Sequence, residues 1–216
     1  MATYSVLSGE VLDSEHLKLP ERKKMQRNLS TFFTQFEEKD RNALNLKFPF
    51  ELSRGERFQV LIDTPSEALR VALLIRAFLK SDFYSGQKLD ARIGIGAGKI
   101  ESSANTRLSE AEGEAFDRAD ELLNTPGKLQ RLTIFSAWPD LDRELNVGFI
   151  LLETITSRWT PTQADVIYLK LMGKIENEIS SELGITQSAV NQRSNAACWP
   201  AIDAFVKRYA ELMKSR

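Results

Sequence analysis

With 216 residues, 42% of them hydrophobic and 27% charged, the chain has apolar mass for a sizeable core and none of the bias of a disordered segment. A net charge of −1 excludes a protein that coats nucleic acid by charge alone, and a single cysteine (Cys198) and histidine (His16) exclude an intrachain disulfide and a multi-histidine metal centre. No apolar run approaches the roughly 18 residues that cross a bilayer, and the first nine residues lack the basic and apolar segments of a secretory signal. A cytoplasmic protein with no membrane partner is therefore expected.

In chain order, residues 3–9 are rich in β-forming side chains and read as a strand ending at Gly9. Pro20 opens a helix in which Met25, Leu29, Phe32, Phe33 and Phe36 recur at helical spacing. Residues 45–52 and 57–62 read as two strands joined through the turn Ser53-Arg54-Gly55-Glu56. Pro65 then starts a helix with Leu69, Ala72, Leu73, Ile75, Ala77 and Phe78 on its apolar face. Residues 89–97 read as a strand in which glycine at 94, 96 and 98 allows close backbone approach. A helix over 113–123, the Pro126-Gly127 turn and a strand over 129–136 complete a β-α-β-β-α-β-α-β order, which predicts a small mixed sheet with helices on one face. A connecting helix is expected over 140–155.

Beyond Arg158 the pattern is wholly helical. Thr160-Pro161-Thr162-Gln163 has the chemistry of a capped helix start, and Gly173 stops that helix. Ile175, Ile179 and Leu183 fall four apart on one face of a second helix that ends at Gly184, a residue tolerant of positive φ. Thr186 caps a third helix, with Ala189 and Val190 turned inward and Ser180 and Ala189 small enough for helix contact. Its outward positions are Gln187, Ser188, Asn191, Gln192 and Arg193. Amides pair with adenine edges, Arg with guanine, and Ser or Gln with phosphate, and no Asp or Glu stands between Thr186 and Trp199 to repel a phosphate backbone. From residue 158 to the end there are eight Lys+Arg against six Asp+Glu, a local excess of positive charge. Over roughly residues 160–198 the pattern resembles the helix-turn-helix modules of the sigma-factor region 4 and LuxR kind, which implies DNA as partner. Arg193 has a competing role as a phosphate clamp or in a salt bridge to Glu182. In the last helix, Trp199, Ile202, Phe205, Val206, Tyr209 and Met213 form one stripe that either joins the core or supports a homodimer.

Glu10 and Asp13 follow the first strand and Glu56 starts a neighbouring one. Pairing of those strands would bring three carboxylates to one edge, as a divalent cation holding a nucleotide phosphate requires; the alternative is solvated turn acids. The blocks Ser8-Gly9-Glu10-Val11-Leu12-Asp13-Ser14, Arg54-Gly55-Glu56-Arg57-Phe58-Gln59, Ala91-Arg92-Ile93-Gly94-Ile95-Gly96-Ala97-Gly98 and Gly113-Glu114-Ala115-Phe116-Asp117-Arg118-Ala119 resemble the SatD family. The same blocks are similar to the palm domain of class III nucleotidyl cyclases. That resemblance implies metal-binding aspartates where this chain has Glu10 and Glu56, and an asparagine and an arginine where it has Asp117 and Glu121. An anion beside a triphosphate reverses the electrostatic contribution of the arginine, so the palm reads as catalytically degenerate. The glycine run lacks the ending of a phosphate loop, and Arg92, Lys99 and Arg107 are either phosphate contacts or surface charges.

The expected fold is therefore α+β: a ferredoxin-like, palm βαββαβ sheet domain (1–140), a connecting helix (141–158) and a small all-α helix-turn-helix domain (159–216). The expected function is DNA-binding transcriptional regulation, with the palm as sensor or dimerisation domain. A divalent-metal-dependent nucleotide-processing enzyme and a protein-interaction module are the alternatives, and a divalent cation or nucleotide is the cofactor class to test.

Overall fold

The structure, a computed structural model, describes residues 3–39, 51–53, 56–86, 88–101, 108–124 and 130–216. The expected strand portion 45–50, the Arg54-Gly55 and Pro126-Gly127 turns, Arg107 and the side chain of Phe36 lie outside the described residues.

The chain is mixed α+β, with one five-stranded sheet followed by helices. Strands β1 (Tyr4–Val11), β2 (Glu51–Ser53), β3 (Arg57–Ile62), β4 (Ala91–Gly98) and β5 (Leu132–Phe135) are ordered β2-β3-β1-β4-β5. Each neighbouring pair among the first four is antiparallel, and β5 is parallel to β4. The first strand does not stop at Gly9 but continues to Val11. The ring of Phe58 on the neighbouring strand occupies the space beside Gly9, where a Cβ would lie 2.2 Å from it, so the glycine receives a neighbour rather than ending the strand.

Helices α1 (Leu19–Lys39), α2 (Ala68–Lys80) and α3 (Glu114–Asp120) do not share one face of the sheet. Leu7, Val60, Ile62, Ile93 and Ile95 point to the side covered by α1 and α2, through Met25, Leu29, Phe33 and Leu69. Val6 and Leu61 point to the opposite side and pack with Ala115, Phe116 and Ala119 of α3. The expectation of helices on one face is thus corrected. Val6 and Leu61 give β1 and β3 an apolar patch on the second face as well, and Gly94 and Gly96 bring the α3 backbone directly onto β4.

The second helix is more than amphipathic. Every residue from Val71 to Leu79 is buried, Arg76 included, because the sheet lies on one side of α2 and the C-terminal helices α5 (Pro161–Leu171) and α8 (Trp199–Lys214) on the other. Arg76 is the one charged side chain in that stretch. It forms paired bonds to Asp90 (2.9 and 3.0 Å) and Glu153 (2.8 and 3.2 Å) and donates to Thr156 Oγ1 at 3.1 Å. Lys80 and Arg131 approach Asp90 at 3.1 and 2.7 Å and complete the cluster.

Helix α4 (Pro139–Thr156) covers the sheet edge at β5. Asn146 accepts from the Ile134 amide at 3.0 Å and donates to the Ile134 carbonyl at 2.8 Å, so its side-chain amide pairs as a further strand would and closes the edge. Leu141, Leu145, Phe149 and Leu152 place α4 in the same core as the sheet, and that core runs on through Ile167, Ala197, Ile202, Tyr209 and Met213. The boundaries drawn at 140 and 158 therefore cross a continuous apolar core. The stripe of the last helix joins this core, with Phe205 edge-on to Phe149 at 5.8 Å.

Candidate functional site

The C-terminal helices are built from local signals. Thr160 accepts from the Gln163 amide at 3.3 Å, and Gln163 Oε1 accepts from the Thr160 amide at 3.0 Å, a reciprocal cap on α5. After Gly173 (φ +82) come α6 (Glu176–Leu183), then Gly184 at φ +63, then α7 (Gln187–Ala196), which Thr186 caps by accepting from the Ala189 amide at 3.1 Å. Val166 and Leu169 of α5, Ile179 of α6 and Val190 of α7 make a small core of their own, edged by Leu183 and Ile185. Ser180 donates to the Ile185 carbonyl at 2.5 Å and fastens the turn. One expectation is corrected here. Ile175 precedes the helix in extended backbone, leaves the register of Ile179 and Leu183, and is 64% exposed.

Among the described residues no atom beyond its chain neighbours lies within 4 Å of where a Cβ would stand on Gly184, so its left-handed φ alone sets the cost of a side chain. Gly184→Ala is expected to lower folding stability by about 1 kcal/mol, read as a drop in urea midpoint; an unchanged midpoint would show that the turn tolerates a side chain without strain.

On α7, Gln187, Ser188, Asn191 and Gln192 are exposed and Arg193 is half-buried, while Val190 and Ser194 face inward. Gln187 donates to Asn177 at 3.2 Å and Asn195 to Asn191 at 2.9 Å, exposed amide–amide bonds that an incoming polar edge can replace. The alternative salt bridge from Arg193 to Glu182 does not form; Glu182 is taken by Lys174 and by the hydroxyl of Tyr84, 2.6 Å away. Burial raises the Tyr84 phenol and the Glu182 carboxylate raises it further, so it stays a donor. Tyr84 also packs its ring on Tyr168 at 4.5 Å, and the Ser81 hydroxyl donates to buried Asp165 at 2.5 Å, so the segment after α2 is docked on α5 and α6.

The three acidic residues at the first strand have a different setting. Strand register places Arg57 of β3 and Arg92 of β4 on either side of Glu10, each 3.6 Å from its carboxylate. The Glu56 carbonyl accepts from Val11, and Asp13 sits in a left-handed turn. The side-chain oxygens of Glu10, Asp13 and Glu56 do not gather; among the described residues the metal-sized cluster is the exposed group Asp13, Glu15 and His16. The paired strands do bring the three residues to one end of the sheet, but antiparallel register gives the Glu10 carboxylate cationic neighbours, and the three carboxylates do not draw together into a metal-sized group. Asp117 and Glu121 are exposed, whereas Ala115, Phe116 and Ala119 carry the contact of α3 with the sheet.

Beside α3, on the same sheet face as Glu10, lies a cleft of about 230 Å³ lined by Ser8, Glu51, Arg57, Gln59, Asp120 and Asn124. Gln59 donates to Ser8 Oγ at 3.2 Å and to Asp120 at 3.3 Å, and Arg92 donates to the Leu122 carbonyl at 2.6 Å. Sequence reading missed Ser8, Gln59 and Asp120. The available signal was the polar interruption at alternate positions of two otherwise apolar strands.

The SatD family model matches residues 4–202. The chain belongs to the SatD family. The SatD match begins at the first residue of β1 and ends inside α8, so the sheet and the capped C-terminal helices are both parts of the SatD pattern. No curated protein and no solved structure matches the chain.

Proposed function

We propose that this SatD-family chain is a DNA-binding regulator of transcription in which α6, the Gly184 turn and α7 act as a helix-turn-helix and α7 enters the major groove. The observation that carries the reading is the outward, acid-free face of α7: Gln187, Ser188, Asn191 and Gln192 exposed, with Arg193 at its margin. Amide groups in that position read adenine edges and the guanidinium reads guanine, while the capped helix start offers backbone amides to phosphate. In this reading the sheet is a palm of ferredoxin-like order, degenerate as a cyclase, that holds the helices in place. Two features weigh against the alternative, a metal-dependent nucleotide-processing enzyme. The Glu10 carboxylate is neutralised by Arg57 and Arg92, and the oxygens of Glu10, Asp13 and Glu56 do not converge.

The test is a mobility-shift titration of the full chain with genomic fragments at several salt concentrations. Specific retardation is expected, weakening as salt rises because bound phosphates release counterions. Gln192→Ala combined with Arg193→Ala should lower affinity by about 10- to 100-fold, the scale of one to two lost base contacts. Equal binding by the double variant, or no retarded fragment at low salt, would remove the reading.

A further inference from the structure

Five positions along the outer side of α4 and the turn that ends it are exposed and spaced alternately three and four apart: Glu144, Val147, Leu151, Thr154 and Arg158. That spacing is the seam of a helix made to pair with another helix. Its apolar members stand well out of the core. Val147 is 61% exposed, Leu151 63%, and Ile150 beside them 54%. The inner side of the same helix is already satisfied by Leu145, Phe149, Leu152 and Asn146, so the outer side is not surplus core.

The seam is symmetric about Leu151 in the sense that matters for pairing. Seven residues before it stands an acid, Glu144, and seven residues after it a base, Arg158. We infer that α4 pairs with α4 of a second copy of this chain, antiparallel and centred on Leu151, to form a two-fold homodimer. In that alignment each Glu144 faces the second copy's Arg158, the two Leu151 side chains meet on the axis, and opposed helix dipoles add to the attraction. A parallel pairing would set glutamate against glutamate and arginine against arginine. Among the described residues Arg158 has no ion-pair partner within its own chain, and Glu144 has only a marginal exposed one, Arg208 at 3.8 Å.

A second feature fits the same occupant. A groove of about 470 Å³ borders the seam at the C-terminal half of α4, lined by Gln130, Ile150, Glu153, Thr154, Ser157 and Arg158. The antiparallel alignment lays the N-terminal half of the second copy's helix, with its Val147, over that groove. This surface is separate from α7, so pairing is measured without DNA and stands or falls independently of the DNA-binding reading.

The experiment is sedimentation velocity of the full chain over a concentration series. The expected mass rises from 24.5 kDa toward twice that value as concentration increases. Leu151→Arg places two cations on the axis and should weaken dimerisation at least tenfold while leaving the circular dichroism spectrum unchanged, since the side chain is outside the core. Glu144→Arg and Arg158→Glu should each weaken it, and the two together should restore it. A chain that stays monomeric to about 100 µM, weaker than micromolar association, overturns the inference and leaves the seam to a different protein. Dimerisation untouched by Leu151→Arg, or charge reversals that fail to rescue one another, overturn it as well.

Discussion

Arg76→Met is expected to destabilise the fold by about 3 to 5 kcal/mol, the scale of a buried ion pair broken from one side. Arg76 is fully buried, and its guanidinium satisfies two oxygens of Asp90 and two of Glu153. Methionine fills much of the volume but leaves both carboxylates with fewer partners; Lys80 and Arg131 still reach Asp90, which holds the loss toward the lower end of the range. The same cluster predicts a pH dependence. Burial by itself would raise the Asp90 carboxyl, but the charge and hydrogen bonds of Arg76, then Lys80 and the Ala91 amide, outweigh it and hold Asp90 well below the usual carboxylate range. A depressed carboxyl contributes stability that is complete above its unfolded value, near pH 4, and is lost as pH falls through the lower folded value. Urea unfolding of the native chain between about pH 5 and pH 2 should therefore show a steep loss of stability, and Arg76→Met a shallower one. Parallel curves for the two proteins would mean that Asp90 is not linked to Arg76.

Gly96→Ala has the next largest expected effect, about 3 kcal/mol or more. A Cβ at that position would lie 2.0 Å from the Ala115 carbonyl oxygen and 2.5 Å from the Ala119 nitrogen, and backbone cannot swing aside as a side chain does. Helix α3 would have to lift, with loss of the Gln59–Asp120 and Arg92–Leu122 bonds that shape the cleft beside it. Gly98→Ala is the internal control. Its Cβ meets Arg118 Nη1 at 2.4 Å, the far end of a flexible side chain, so the expected cost is about 1 kcal/mol or less, the ordinary effect of a tolerated substitution. Denaturation midpoints that fall equally for the two variants would show that α3 is not seated on β4 in the way described.

The contrast between these glycines shows where sequence reading stops. Glycine at alternate strand positions announces a close neighbour, and that much is visible in Ala-Arg-Ile-Gly-Ile-Gly-Ala-Gly. Which neighbour, and on which face, depends on where a helix some twenty residues later returns. Arg76 is similar. A single arginine within Leu-Leu-Ile-Arg-Ala-Phe-Leu signals a buried charge, but its partners Asp90 and Glu153 lie 14 and 77 positions away. The seam on α4 escaped sequence reading because the helix carries apolar residues on two sides, and only the packed structure separates the side that meets the sheet from the side left open.

What the sequence by itself determined is the set of local elements: their types and order, the caps at Thr160 and Thr186, the left-handed turn at Gly184 and the outward set on α7. Each is settled by interactions within about four residues, through hydrogen bonds to the chain's own backbone and through side-chain period. Only the tertiary structure decided that Glu10 sits between two arginines, that α3 takes the opposite sheet face from α1 and α2, that Ile175 turns outward, and that sheet and helices share one core. Those outcomes depend on strand register and on the packing of segments far apart in the chain, and a shift of one residue in register would reverse the face of every side chain on the shifted strand.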